Sequence, residues 1–415
     1  MGRSVRRWCI LLLGAAAALA GIAPAAAETR GIAAFRPGGE AAAAVQAAAQ
    51  PSPPSTNAQA AALIDVASGR LLYSKNGDKP MRIASLTKIM TAIVAIERGE
   101  LSDMVKVGAS AYGVEGSSVY LKMDEEISLR HLLYGLMLRS GNDAAVAIAE
   151  HVGGSVDGFV MLMNEKAREI GLANTQFRNP HGLDADGHYS TAEDLAKLAA
   201  YALKNPVFRD IVKTVSVKVP DPGEKWDRLW RNKNKMLQLY EGADGVKTGY
   251  TKAAGRCLVS SATRGGQQLV AVTLNDGTDW LDHKKLLDYG FEHYPLHVIY
   301  RAGTVMERSG VASPHSFVYP LSEEERDRVV IEVRHAADGS LDARLGIRAF
   351  AEYRLNGETI GRLPFYDADH PFVKRMNSDA PALSRFAAAF APRRAGEDVL
   401  KVTARMLRAM MFDWR

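Results

Sequence analysis

The chain has 415 residues, 47% of them hydrophobic and 24% charged, and a formal net charge of +5. Three of its arginines, Arg3, Arg6 and Arg7, fall in an N-terminal segment that reads as a removable leader, so the mature charge falls to +2 and a nucleic-acid partner is excluded. Of the two cysteines, Cys9 lies in that leader and Cys257 is left alone, which excludes an internal disulfide.

Residues 1–27 carry the pattern of a signal peptide: the basic start, the apolar run Trp8 to Ile22, and the small-residue site Ala25-Ala26-Ala27 before Glu28. The mature protein is therefore expected to be exported, to the periplasm or the outer face of a cytoplasmic membrane. No other stretch reaches the roughly 18 apolar residues a spanning helix needs. Residues 28–58, rich in Ala, Pro and Ser, read as a linker with little to bury. The folded part, expected over 59–295, opens on two apolar runs, Ala61 to Asp65 and Leu71 to Tyr73, flanking Ser68-Gly69 as a hairpin.

Arg82 to Met90 begins a helical pattern that continues to Ile96 and stops at Gly99. It places Ser85 three residues before Lys88, and side chains at i and i+3 share a helix face. A serine becomes a nucleophile when a neighbouring base takes its proton. A lysine can be that base if desolvation and a second cation hold its amine neutral. The alternative at this point is a helix start with Ser85 as a cap and an exposed Lys88.

Leu129 to Val152 is helical and apolar but broken by Ser140-Gly141-Asn142, either three polar groups at a junction or an interhelical turn capped by Ser140 or Asn142. Residues 155–205 are mostly helical, with a loop at Asn179 to Asp184 and a helix start at Ser190-Thr191. His181 and His188 lack zinc-ligand spacing, so no metal is assigned. Strands follow at Val215 to Val219, Gly245 to Tyr250, Cys257 to Ala262 and Gln268 to Leu274, separated by glycines and polar turns as in an antiparallel sheet. Lys247 is the candidate second cation, or else an exposed strand lysine. Gly249 beside it permits close backbone approach, and Cys257 reads as a small core residue. Lys284 to Phe291 reads as a helix ending at Gly290.

Residues 296–366 change texture. Val329 to Val333 and Ala349 to Leu355 are strand-like, and Asp338-Gly339 and Asn356-Gly357 are hairpin turns, giving a small β domain. Glu323-Glu324-Glu325 reads as a solvated face. Residues 367–397 read as a loop-like linker. In 398–415, Leu400, Ala404, Leu407, Met411 and Trp414 recur at helical spacing with Lys401, Arg405 and Arg408 on another face, the pattern of an amphipathic membrane-surface anchor.

Ser85-x-x-Lys88, Ser140-Gly141-Asn142 and Lys247-Thr248-Gly249 together form the motif set of penicillin-interacting serine enzymes. Over about residues 58–292 the chain resembles the low-molecular-mass penicillin-binding proteins that are D-alanyl-D-alanine carboxypeptidases. The resemblance implies an α+β fold: an antiparallel sheet flanked by helices, a helical subdomain carrying the second motif, and a cleft between them, followed by the small β domain and the C-terminal helix.

By the same resemblance Ser85 attacks the carbonyl between two D-alanines, Lys88 accepts its proton, and Ser140 relays a proton to the departing residue. Asn142 holds the peptide backbone, Lys247 and Thr248 face the terminal carboxylate, and the backbone N–H groups of Ser85 and Tyr250 form an oxyanion hole. Implied partners are peptidoglycan stem peptides, β-lactams as covalent inhibitors, and a membrane surface; no cofactor is implied. Two departures from the pattern are Tyr250, where some members have His, and Thr278 to His283, which lacks the arginine some members use for the carboxylate. A DD-endopeptidase, a β-lactamase and a non-catalytic wall-binding protein remain alternatives.

Overall fold

The computed structural model describes residues 52–221, 224–306 and 309–375. The leader, most of the Ala/Pro/Ser-rich segment and the C-terminal amphipathic pattern lie outside the described residues.

The chain opens with β1 (Ala60–Asp65) and β2 (Leu71–Lys75), followed by a tight 3-10 turn, Ala84–Thr87, that runs into α1 (Lys88–Arg98). A short ribbon, β3 (Met104–Lys106) and β4 (Glu126–Ser128), leads to α2 (Leu129–Tyr134). A π-type stretch, Gly135–Arg139, and then α3 (Asn142–Gly153) and α4 (Val156–Glu169) follow. After an irregular segment come α5 (Ala192–Leu203), α6 (Pro206–Lys213), the ribbon β5 (Ser216–Val219) and β6 (Arg228–Arg231), and α7 (Met236–Leu239). The strands β7 (Ala243–Thr251), β8 (Gly255–Arg264) and β9 (Gln267–Leu274) then precede α8 (Asp279–His293).

The main sheet is antiparallel in the order β2-β1-β9-β8-β7, so the first hairpin docks onto the last strand and β7 is left at an edge. The sheet is buried on both faces. Ala60, Ala62 and Ile64 of β1 point into a large cluster with α1 to α6, while Ala61 and Leu63 point into a smaller one with Leu286 and Leu287 of α8. This two-sided burial follows from the period-2 alternation of a strand whose every side chain is apolar up to Asp65. α1 runs through the middle of the larger cluster, with Ile89, Met90, Ala92, Ile93, Val94 and Ala95 all buried.

Helix starts are local and legible. Thr191, not Ser190, caps α5 by accepting from the Asp194 N–H, and Asn205 followed by Pro206 starts α6. The end of α8 differs from the sequence reading: the helix runs through Gly290 to His293. A Cβ on Gly290 would lie 2.5 Å from Leu269 Cδ1 and 2.8 Å from Leu63 Cδ2, so this glycine lets the helix sit close on the sheet instead of terminating it. Residues 216–219 pair only with β6 in a separate ribbon.

Beyond α8, β10 (Leu296–Tyr300) pairs with β12 (Phe317–Pro320), and β11 (Val311–Ala312), β15 (Glu358–Asp367), β14 (Ile347–Leu355) and β13 (Val330–His335) form a second antiparallel sheet in that order. Asn356-Gly357 turns β14 into β15 as expected. Asp338-Gly339 instead belongs to a longer connection that contains a helical turn, Leu341–Arg344. Two boundaries shift. Ala58 is buried and the Asn57 N–H donates to Asp282, so the fold begins before Gln59. Val373 is buried against Ala312, Ile347 and Tyr366, so the fold continues past Tyr366.

Glu325 corrects the reading of an acidic solvated face. It is buried, closes a capping box with Ser322, and pairs with Arg70, the residue before β2. Arg70 also donates to the Pro320 carbonyl (2.6 Å), tying the small β region to the main sheet.

Candidate active site

Ser85 stands in the 3-10 turn before α1, and the residue preceding it, Ala84, is held at a left-handed φ of 47°. Such strained backbone persists only where the surroundings fix it. Here Gly182 packs so closely on the Ala84 carbonyl that no side chain would fit there. Lys88, one turn on, is fully buried, and its Nζ lies 3.1 Å from Ser85 Oγ. The same Nζ donates to Asn142 Oδ1 and to the His181 carbonyl, each at 2.6 Å.

The surroundings favour the neutral form of this amine. Burial pushes the Lys88 pKa well below the ordinary lysine value, the charge of Lys247 lowers it further, Lys233 adds to that, and Asp143 opposes them. A neutral amine can accept the Ser85 hydroxyl proton; an ammonium cannot. The exposed-lysine and helix-cap alternatives are removed by this geometry.

Ser140 closes the π-type stretch at a left-handed φ of 65°, and Gly141 occupies the N-cap position of α3 with no side-chain cap bond. The polar groups of the second motif are therefore free for other partners. Asn142 uses both ends of its amide: Oδ1 faces Lys88, and Nδ2 donates to the Glu115 carbonyl (2.6 Å). Asp143 is buried beside it and accepts from Ser118 Oγ (2.5 Å) and from the N–H groups of Val119 and Leu121. It fixes the 117–121 loop against α3.

Ser85, Ser140, Thr248, Gly249 and Tyr250 line one cavity of about 480 Å³, so all three motifs meet there. Gly249 lies directly against the turn that carries Ser85: a Cβ on it would sit 3.2 Å from both the Ile83 carbonyl and the Ser85 nitrogen. Tyr250, at the rim, is 66% exposed. Lys247 lies against the backbone of its own motif. It is 1% exposed, and its Nζ donates to the Thr248 carbonyl at 2.7 Å. Burial first, then the charge of Lys233, pushes its pKa down to about 7.

Several residues around the cavity carried no motif in the sequence. Lys233 lines it and donates to Ser117 Oγ (3.2 Å); burial and Arg139 lower its pKa. Its only local signal is the flanking pair Asn232 and Asn234, whose side chains bond the Val212 and Thr214 carbonyls and the Met236 N–H to build the turn. Arg256, Cys257, Asp279 and Trp280 complete the wall near Tyr250. Cys257 is 1% exposed, with burial raising its thiol pKa to about 11, in keeping with a packing residue. His188 is likewise part of the scaffold, bonded to Thr87 Oγ1 (2.8 Å) and the Arg178 N–H (3.0 Å).

The family model described as D-alanyl-D-alanine carboxypeptidase, peptidase S11, matches residues 46–278. D-alanyl-D-alanine carboxypeptidase DacF of Bacillus subtilis is 38% identical over 253 residues, which is 59% of this chain and 64% of that protein. The match thus spans less than two thirds of that relative's length. DacA of Haemophilus influenzae is 35% identical over 340 residues, 76% of this chain and 82% of that protein. The solved penicillin binding protein 5 of H. influenzae superposes with a TM-score of 0.64 at 28% identity, covering 76% of this chain and 97% of that one. With more than half of its length matched by the family model, and its three motifs brought to one cavity, the chain belongs to the D-alanyl-D-alanine carboxypeptidase family, peptidase S11.

Proposed function

We propose that this protein is a serine D-alanyl-D-alanine carboxypeptidase that removes the terminal D-alanine from peptidoglycan stem peptides. The observation that carries the reading is the buried Lys88 amine 3.1 Å from Ser85 Oγ, where Ser85 itself lines a cavity with Ser140 and Thr248. Ser85 Oγ adds to the penultimate D-alanyl carbonyl while its proton passes to Lys88. The C–N bond breaks, a proton reaches the departing amine by way of Ser140, and an ester to Ser85 remains. Water then adds to the ester carbonyl and frees the shortened peptide and Ser85.

The developing oxyanion is held by the backbone N–H groups of Ser85 and Tyr250, a type of donor worth about 3–4 kcal/mol each. Asn142 keeps Lys88 aimed at Ser85, and Thr248 orients the substrate's C-terminal end. A β-lactam enters the same path and stops at a longer-lived ester. The N-terminal signal pattern supports export, and the basic amphipathic pattern of 398–415 supports attachment to a membrane surface.

The test is release of free D-alanine from an acylated peptide ending in two D-alanines, run beside a cross-linked muropeptide dimer. The reading expects D-alanine from the first and little monomer from the second. Monomer without D-alanine would replace it with an endopeptidase. Rapid turnover of penicillin without either product would replace it with a β-lactamase.

A further inference from the structure

Resting on the carboxypeptidase reading, the geometry points to Arg256 as the residue that recognises the free carboxylate at the substrate's C-terminus, with Asp279 as its positioning residue. A substrate that ends in a carboxylate one residue beyond the scissile bond needs a hydrogen-bonding cation in the cavity wall on the leaving-group side. Lys247 is turned to the Thr248 carbonyl and is 1% exposed. Lys233 stands beside Ser117, and its backbone is tied to Leu138 on the Ser140 side. Arg256 stands on the other side: it is the cross-strand partner of Tyr250 in the β7–β8 pair and lines the cavity with Tyr250 and Trp280. Paired residues on adjacent strands share a face of the sheet.

The arginine is presented, not merely present. Its side chain is 46% exposed, whereas the Asp279 side chain that holds it is 5% exposed. Asp279 takes Nε (3.2 Å) and one hydrogen of Nη2 (2.5 Å). That leaves the Nη1 edge of the guanidinium, whose planar fork matches a carboxylate. A carboxylate bound there lies beyond Tyr250, which places the preceding peptide bond along β7 toward Ser85.

The test compares kcat/KM for a peptide ending in D-Ala-D-Ala with that for the same peptide capped as a C-terminal amide. In the wild-type protein the acid is preferred. In Arg256→Gln the acid-to-amide ratio falls about 10- to 100-fold, the range expected for a hydrogen bond to a charged group. Arg256→Lys keeps part of the preference and Asp279→Asn loses part of it, each checked for folding by its melting temperature. An unchanged ratio in Arg256→Gln overturns the assignment while leaving the carboxypeptidase reading intact. If Arg256→Gln does not fold, unchanged ratios in Arg256→Lys and Asp279→Asn overturn it equally. Failure of the wild-type protein to release D-alanine from either peptide removes the carboxypeptidase reading and this assignment with it.

Discussion

Asn142 Oδ1 accepts a hydrogen bond from Lys88 Nζ at 2.6 Å, while the other end of the same amide is held by the Glu115 carbonyl. The second motif thus orients the base of the first without adding charge beside it. Asn142→Asp would place a carboxylate at that distance and favour the ammonium form of Lys88. The labelling rate with a fluorescent penicillin is expected to drop about 10-fold or more near neutral pH, given a pKa rise of about 1–3 units from an adjacent opposite charge. Its acid limb should move to higher pH. A variant that labels at the wild-type rate would show that Asn142 serves only the substrate.

Charge from outside the first motif acts in the opposite sense. Lys88 is lowered first by burial, then by Lys247, then by Lys233. Lys88 works when unprotonated, so labelling should rise with pH as it loses its proton. Removing a nearby positive charge raises its pKa and pushes that rise upward. Lys247→Gln and Lys233→Gln are both expected to shift the acid limb of the labelling profile to higher pH, Lys247→Gln by more. A shift to lower pH in either variant would contradict this electrostatic order.

The third motif also sets position through its glycine. A side chain at 249 would press on Ile83, Ala84 and Ser85 and lift the nucleophile turn from β7. Gly249→Val should retain its melting temperature within a few degrees yet label about 100-fold more slowly, the scale set by a displacement of roughly 1 Å at a reacting group. Gly249→Ala should fall between the two. A folded Gly249→Val that labels normally would mean the turn has room to spare.

Far from the site, Gly290 tests the packing account. Alanine is the better helix former by about 1 kcal/mol. The Cβ it adds meets Leu269 and Leu63, both fully buried, and overpacking of this kind costs about 1–3 kcal/mol. Gly290→Ala should therefore lower the urea midpoint. A raised midpoint would return Gly290 to the role of a helix end.

The parts of the site that could be read in the sequence are those whose spacing is local. Ser85 and Lys88 need only one helical turn, and the Ser140-Gly141-Asn142 break shows as polar residues inside an apolar pattern. The alternating strands and the Asn356-Gly357 turn were legible for the same reason. What brings the motifs together was not legible from local spacing: the Ser85 turn packs on Gly249 of β7 and α1 packs on α3 through Lys88 and Asn142, and burial there is the first cause that lowers Lys88 and Lys247. Lys233 and Arg256 gain their places from a turn built by two asparagines and from a cross-strand register, neither of which leaves a periodic signal. Gly290 and Glu325 were misread because a glycine near a helix end and a run of acids look alike whether exposed or packed.

Ser85 as the nucleophile and Lys88 as its base carry the proposed chemistry. Intact-mass measurement after brief exposure to penicillin, followed by peptide mapping, tests it most directly. One added penicilloyl group is expected on the peptide that contains Ser85, with none in Ser85→Ala and a strongly slowed appearance in Lys88→Met. An adduct on any other residue, or an undiminished one in Ser85→Ala, would contradict it.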